Sequence, residues 1–194
     1  MLTRQAKTLS SAQIKGVLSY LETTRNPVRN RLIFLLSIKA GLRAKEIAEL
    51  TWRMVTDAQG EVGNEIRLEN TAAKGRSGGV IPMNADLADA LKAWRRHCWV
   101  GDSRGRVIKS ERSKSTTPGI IINMFRDWYL ALGFEGCSSH SGRRTFITNA
   151  ARKISTVGGS LRDVQALARH ASLAMTQRYI EMDSEAQRKV VELI

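Results

Sequence analysis

Ser160-Leu161-Arg162-Asp163-Val164-Gln165-Ala166-Leu167-Ala168-Arg169-His170-Ala171-Ser172-Leu173-Ala174-Met175-Thr176-Gln177-Arg178-Tyr179 reads as two short helices flanking a histidine. Ser160 and Asp163 form a capping box that opens a helix over 161–169. Leu161, Val164 and Leu167 share one face of it, the spacing of a helix laid on a core. A second helix follows over 172–179. The pattern on either side is helical too, with a helix over about 140–153 before it and a tail to Ile194 after it.

Towards the amino terminus the same logic holds until residue 50. Ser10 and Gln13 make another capping box, with Leu9 and Ile14 placed for a hydrophobic staple, and Ile14, Val17, Leu18 and Leu21 repeat at helical spacing. Asn26-Pro27 starts a second helix that carries Leu32, Leu35 and Leu36 to a stop at Gly41. A short third helix runs from Ala44 to Leu50. The period then changes: Trp52 to Val55, Glu65 to Leu68 and Val80-Ile81-Pro82 read as strands, with Gly75, Gly78 and Gly79 supplying turns. Asn84 caps a helix bearing Leu87, Leu91 and Trp94, and Thr117-Pro118 starts one bearing Ile121, Phe125, Trp128 and Leu132. Residues 100–116, rich in Gly, Ser and Arg, are expected to be a mobile surface loop. The fold class is mainly α with a small antiparallel β-sheet (α+β), in one domain over 1–194, with 1–8 a flexible amino terminus and 180–194 a carboxy-terminal tail.

Composition narrows the function. The chain of 194 residues is 42% hydrophobic and 25% charged, which supports a packed core and excludes a disordered or fibrous chain. No apolar run approaches the length of a membrane span, and none follows Met1 as a signal-peptide core would. Cys98 and Cys137 are expected to stay reduced, and a cytoplasmic location is expected. The net charge is +13, and every third of the sequence is net basic, so the folded body and not a detachable tail carries the excess. Such a body draws polyanions by releasing counterions from phosphates.

Three segments concentrate phosphate-competent side chains. In Gly41-Leu42-Arg43-Ala44-Lys45-Glu46, Arg43 stands at the start of a helix, where its fork and the helix amides can aim at an anion; taken alone, an Arg beside Glu46 is usually a surface ion pair. In His140-Ser141-Gly142-Arg143, the imidazole and guanidinium lie three residues apart on one helix face. In the third segment His170 precedes Tyr179 by nine positions, and an isolated Tyr there reads as an ordinary half-buried aromatic.

Together these segments resemble the tyrosine recombinase family, the phage integrases and Xer-type enzymes, in their catalytic domain, over nearly the whole chain from about residue 8. Arg43 matches the family's first arginine, His140 and Arg143 its H-x-x-R box, and His170 and Tyr179 its final histidine and nucleophile. Lys74, in Ala73-Lys74-Gly75-Arg76, matches the lysine of the family's hairpin, with Arg76 as a nearby competitor. The chain departs from the pattern at Gly142, where Leu is usual, at Ala168-Arg169, where Leu-Gly is usual, and at Ile180, where Thr is common. The resemblance implies a site-specific DNA recombinase or integrase. Its catalytic residues would be Arg43, Lys74, His140, Arg143, His170 and Tyr179, acting through a 3′-phosphotyrosine with no cofactor and no metal. It also implies double-stranded DNA as partner, a homo-tetramer assembled on DNA, and a nucleoid-associated, cytoplasmic setting. With Arg43 so early, the family's amino-terminal DNA-clamping domain is not in this sequence, so an accessory DNA-binding protein is an expected partner. DNA relaxation of the type IB topoisomerase kind and a non-catalytic DNA-binding regulator are the alternatives.

Overall fold

The computed structural model describes residues 6–73, 77–98, 101–111, 113–180 and 190–192. Helix α1 (Ser11–Glu22) begins at the Ser10–Gln13 capping box, both halves of which are formed. Helix α2 (Pro27–Ala40) has Pro at its first position and ends at Gly41. Every residue from Leu32 to Ile38 is buried, and a helix apolar all round is one that other elements enclose. Around it pack α1, α4 (Ala85–Cys98) and α6 (Ser141–Lys153), while α3 (Ala44–Glu49) lies against α5 (Pro118–Ala131). Phe34, Phe125, Trp128 and Tyr129 form the aromatic centre of the core, with Phe125 edge-on to Trp128 at a centroid distance of 5.2 Å.

The sheet is a single antiparallel pair, β1 (Glu65–Leu68) with β2 (Gly79–Pro82), in the register Ile66 opposite Ile81. Ile66 and Ile81 are buried and Val80 points outward, the alternation of a ribbon with one face on a core.

Two sequence expectations change here. Trp52–Val55 is not a strand but a 3-10 turn over Trp52–Met54: Trp52 and Met54 both face the core, which an alternating strand could also allow, but the Trp52 and Arg53 amides bond to the carbonyls of Gly105 and Ser103 and leave no ladder to build. The 100–116 connection, expected to be mobile, is anchored at its middle. Val107 and Ile108 are buried, the Val107 amide donates to Leu50 O at 2.8 Å, and Val107 O accepts from Trp94 Nε1 at 2.7 Å. A stretch rich in Gly, Ser and Arg hid two core residues.

The carboxy-terminal third adds α7 (Leu161–Ala168) and the one-turn α8 (Leu173–Gln177). A small second cluster of Ile147, Val164 and Ala168, with Phe146 and Tyr179 at its edge, holds them to α6. At the amino terminus, Lys7 donates to Gly136 O and the Leu9 amide to Thr145 Oγ1. Among the described residues, no helix is long and apolar enough to cross a membrane. Cys98 and Cys137 are both free thiols.

Candidate active site

Gly41 closes α2 in the left-handed conformation, φ 63°, a state that favours glycine. The turn it makes brings Arg43 to the start of α3. Glu46 reaches back from one helical turn on: its Oε2 accepts the Arg43 backbone N–H at 2.9 Å and its Oε1 accepts Arg43 Nη1 at 2.8 Å. This is no surface ion pair, because Glu46 is 0% exposed. A second arginine, Arg169, donates from Nη2 to the same Oε2 at 2.7 Å.

Arg143 enters from the first turn of α6. That turn lies so close to α2 that a Cβ on Gly142 would stand 2.2 Å from Ser37 Oγ, so the departure from Leu at 142 is a packing requirement. Arg143 Nη1 donates to Gly41 O at 2.6 Å and Nη2 to Ala168 O at 2.5 Å. One guanidinium thus ties the carbonyl that ends α2 to the carbonyl that ends α7, fixing Arg43 and His170 on either side of itself.

His170 is buried just beyond α7. Its Nδ1 lies 2.9 Å from Thr176 Oγ1 on α8, and its ring stacks on Tyr179 with a centroid distance of 5.3 Å and planes 28° apart. Tyr179 is held at both backbone groups, its amide donating to Thr176 O at 3.0 Å and its carbonyl accepting from Thr148 Oγ1 at 3.1 Å. His140, at the head of α6, is exposed. It shares with Arg143, Arg144, Arg178 and Tyr179 the lining of an open cleft of about 500 Å³.

The structure therefore brings Arg43, Arg143, His170 and Tyr179 into one cluster, with His140 at its rim. Lys74 and its competitor Arg76 lie outside the described residues. Sequence reasoning missed three supports: Glu46 as a buried carboxylate, Thr176 as the partner of His170, and Arg169 as a buried cation. The signals were faint. Glu46 stands at a helical i+3 from Arg43, and Arg169 replaces the Gly that a left-handed residue usually is.

The charges act on one another strongly at this burial. Burial, then Arg143, Arg43 and Arg169, push His170 down to about 4, so its ring is neutral at pH 7. Burial, with Arg43 and Arg169 beside it, lowers Arg143 to about 10, leaving it a cation. Burial works to raise the Glu46 carboxyl, but Arg169, Arg43 and Arg143 together prevail and hold it below its ordinary value. The cluster at neutral pH is three guanidinium cations around one carboxylate, with a neutral imidazole against a phenol. That set suits an anionic substrate and a nucleophilic hydroxyl. Among the described residues no group of His, Cys, Asp and Glu could hold a metal ion.

The chain is similar to known proteins over most of its length. The tyrosine recombinase XerC of Rhizobium meliloti (strain 1021) is 30% identical over 158 residues, covering 80% of this chain and 46% of that protein. The tyrosine recombinase XerA of Thermococcus onnurineus (strain NA1) is 28% identical over 188 residues, covering 96% of this chain and 62% of that protein. The chain thus spans roughly half to three-fifths of the length of these curated relatives. In fold, it matches a crystal structure of XerA recombinase with a TM-score of 0.73 at 22% identity, over 100% of this chain and 65% of the other. It matches the Tn1549 transposon integrase, solved in complex with a circular intermediate DNA, with a TM-score of 0.79 at 18% identity, over 100% of this chain and 67% of the other. The profile of the phage integrase family covers residues 7–186, a span that includes every member of the charged cluster and its tyrosine, and the chain belongs to that family.

Proposed function

We propose that this chain is the strand-cleaving and strand-joining domain of a site-specific DNA recombinase, with Tyr179 as the nucleophile. The observation that carries the reading is the juxtaposition of Tyr179 with neutral His170 beside Arg143 and the Arg43–Glu46 pair, at the edge of an open basic cleft. A phosphodiester seated there would present its two non-bridging oxygens to Arg43 and Arg143. Tyr179 Oη attacks phosphorus, the P–O5′ bond breaks, and the products are a 3′-phosphotyrosine and a free 5′-hydroxyl. The bond formed replaces the bond broken, so a 5′-hydroxyl from a partner strand can reverse the step without an external energy source.

Catalysis is electrostatic. The five-coordinate phosphorane carries one more negative charge than the diester, and donors fixed in place before the reaction stabilise it more than the ground state. Loss of one such donor typically costs about 3 kcal/mol in the barrier. With Thr176 Oγ1 donating to Nδ1, the neutral His170 ring keeps its proton on Nε2 and gives a hydrogen bond to phosphate. His140, exposed at the rim, takes the phenolic proton. Lys74 is the proposed general acid for the departing 5′-oxygen, with Arg76 the other candidate on that segment. Double-stranded DNA is the proposed partner. Assembly of four protomers on two DNA sites, help from a separate DNA-clamping protein or segment, and residence on the nucleoid are further parts of the proposal.

The test is a duplex nicked near a candidate crossover, on which cleavage traps the protein. Wild type is expected to give a denaturant-resistant protein–DNA band, and Tyr179→Phe none. A band of equal strength from the Phe variant would sink the assignment of the nucleophile. Salt-sensitive binding without any band, on natural-site pools and synthetic duplexes alike, would favour a non-catalytic regulator.

A further inference from the structure

Arg169 is conformationally and electrostatically costly where it stands. It is the one non-glycine residue with positive φ (54°) among the described residues, a conformation that strains an L-residue with a Cβ. Its side chain is 3% exposed. Only Nη2 has a partner, Glu46, while buried Nε and Nη1 have none. A buried guanidinium so poorly satisfied is destabilising on its own account, and a strained, under-satisfied residue against a candidate active site points to a role there.

Two contacts define that role. Glu46 holds the Arg43 guanidinium with Oε1 and meets Arg169 with Oε2, which also accepts the Arg43 amide. Without Arg169, the carboxylate would cancel the charge of the arginine it orients. With Arg169 present, three cations face one anion, and the surplus matches the two negative charges of a phosphorane. The second contact is with the hairpin: a methyl group built on Gly79 of β2 would lie 3.5 Å from Arg169 Cδ and 3.7 Å from Cγ. The aliphatic stem of Arg169 therefore runs beside Gly79 at the start of β2.

We propose that Arg169 is a positioning residue for strand cleavage: it neutralises Glu46 so that Arg43 keeps its full charge toward the scissile phosphate. The proposal rests on the recombinase reading above, and it acts through Arg43 without contact between Arg169 and DNA.

Arg169→Gly is the informative variant, because glycine takes the left-handed backbone without strain, and it is assayed at temperatures where circular dichroism shows it folded. Arg169→Lys keeps the cation and the stem. Two readouts are compared: the single-turnover rate of covalent-complex formation, and NMR titration of the His170 ring in DNA-free protein. The charged groups acting on that ring are Arg143 from α6, Arg43 at the head of α3 and Arg169 in its own turn, and Tyr179 after α8 stacks on it. In Arg169→Gly the rate is expected to fall roughly tenfold or more, as for coupled neighbours in one network. Its His170 should titrate above the wild-type value of about 4, while burial, Arg143 and Arg43 still hold it below the ordinary range. Arg169→Lys should stay close to wild type in both. A Gly variant at wild-type rate, or a slower one whose His170 titration has not moved, would overturn the proposal. If wild type itself forms no covalent complex while the titration shifts as expected, the recombinase reading fails and the electrostatic role of Arg169 stands.

Discussion

Glu46 is the residue on which the charged cluster turns. Its two oxygens serve two arginines at 2.8 and 2.7 Å, and Arg143 adds its field from α6. Removing one partner of a buried charge network leaves the others uncompensated, which typically costs about 3–5 kcal/mol. Glu46→Ala is expected to lose stability on that scale in urea unfolding, whereas Glu49→Ala, whose carboxylate pairs with Arg106 at a partly exposed site, should lose under about 1 kcal/mol. Comparable losses would remove the distinction. His170 sets a pH dependence of its own. Its folded value of about 4 lies below the ordinary 6.5, so the unfolded chain binds the proton first as pH falls. The stability this neutral ring contributes is complete above about 6.5 and is lost as pH drops towards 4. Wild type should therefore weaken over that window more than His170→Asn does, as followed by thermal unfolding monitored by circular dichroism.

At the scale of elements, α6 is the part that aligns the site. Its first turn presses on Ser37 of α2 through Gly142, and its Arg143 bonds to the ends of α2 and α7. Gly142→Ala forces two backbones apart, and overpacking of this kind typically costs about 1–3 kcal/mol. The same variant should slow covalent-complex formation at temperatures where it is still fully folded. A variant as stable and as active as wild type would show that the α2–α6 approach has slack. Most elements were legible in the sequence because capping and periodicity agree: the boxes at Ser10 and Ser160, Pro27 and Pro118 at helix starts, and the stop at Gly41 all stand where the residues place them. Trp52–Val55 was not legible, because four residues of mixed size carry no period long enough to separate a strand from a turn. Val107 and Ile108 were hidden for a different reason. Two adjacent apolar residues in a polar stretch say nothing of burial until Trp94 and Leu50 are seen to claim them. In the site, Arg43, Arg143, His170 and Tyr179 could be picked out only through their joint resemblance to the family's motifs. Glu46 and Arg169 could not, since burial of a charge depends on partners 123 positions apart.

For the molecule as a whole, the +13 charge and the open basic cleft make the proposed affinity for DNA a matter of counterion release. Binding to non-specific duplex should weaken steeply with salt, with a slope of about −0.9 per phosphate contacted in a plot of log affinity against log salt. Arg178→Ala, at the cleft wall beside Tyr179, should flatten that slope by about one phosphate equivalent, which fluorescence anisotropy over a salt series would measure. An unchanged slope would place Arg178 off the DNA path.

Tyr179 is proposed as the residue that becomes joined to DNA, and mass spectrometry of the trapped complex identifies the linked residue. After nuclease trimming and proteolysis, the nucleotide adduct should map to the peptide containing Tyr179. Of the other tyrosines, Tyr129 is buried in the aromatic core, where burial pushes its hydroxyl well above the usual phenol range, and Tyr20 lies on α1, packed against that core. An adduct on Tyr179 alone is the result the structure predicts. An adduct on Tyr20, on Tyr129 or on a serine would contradict it.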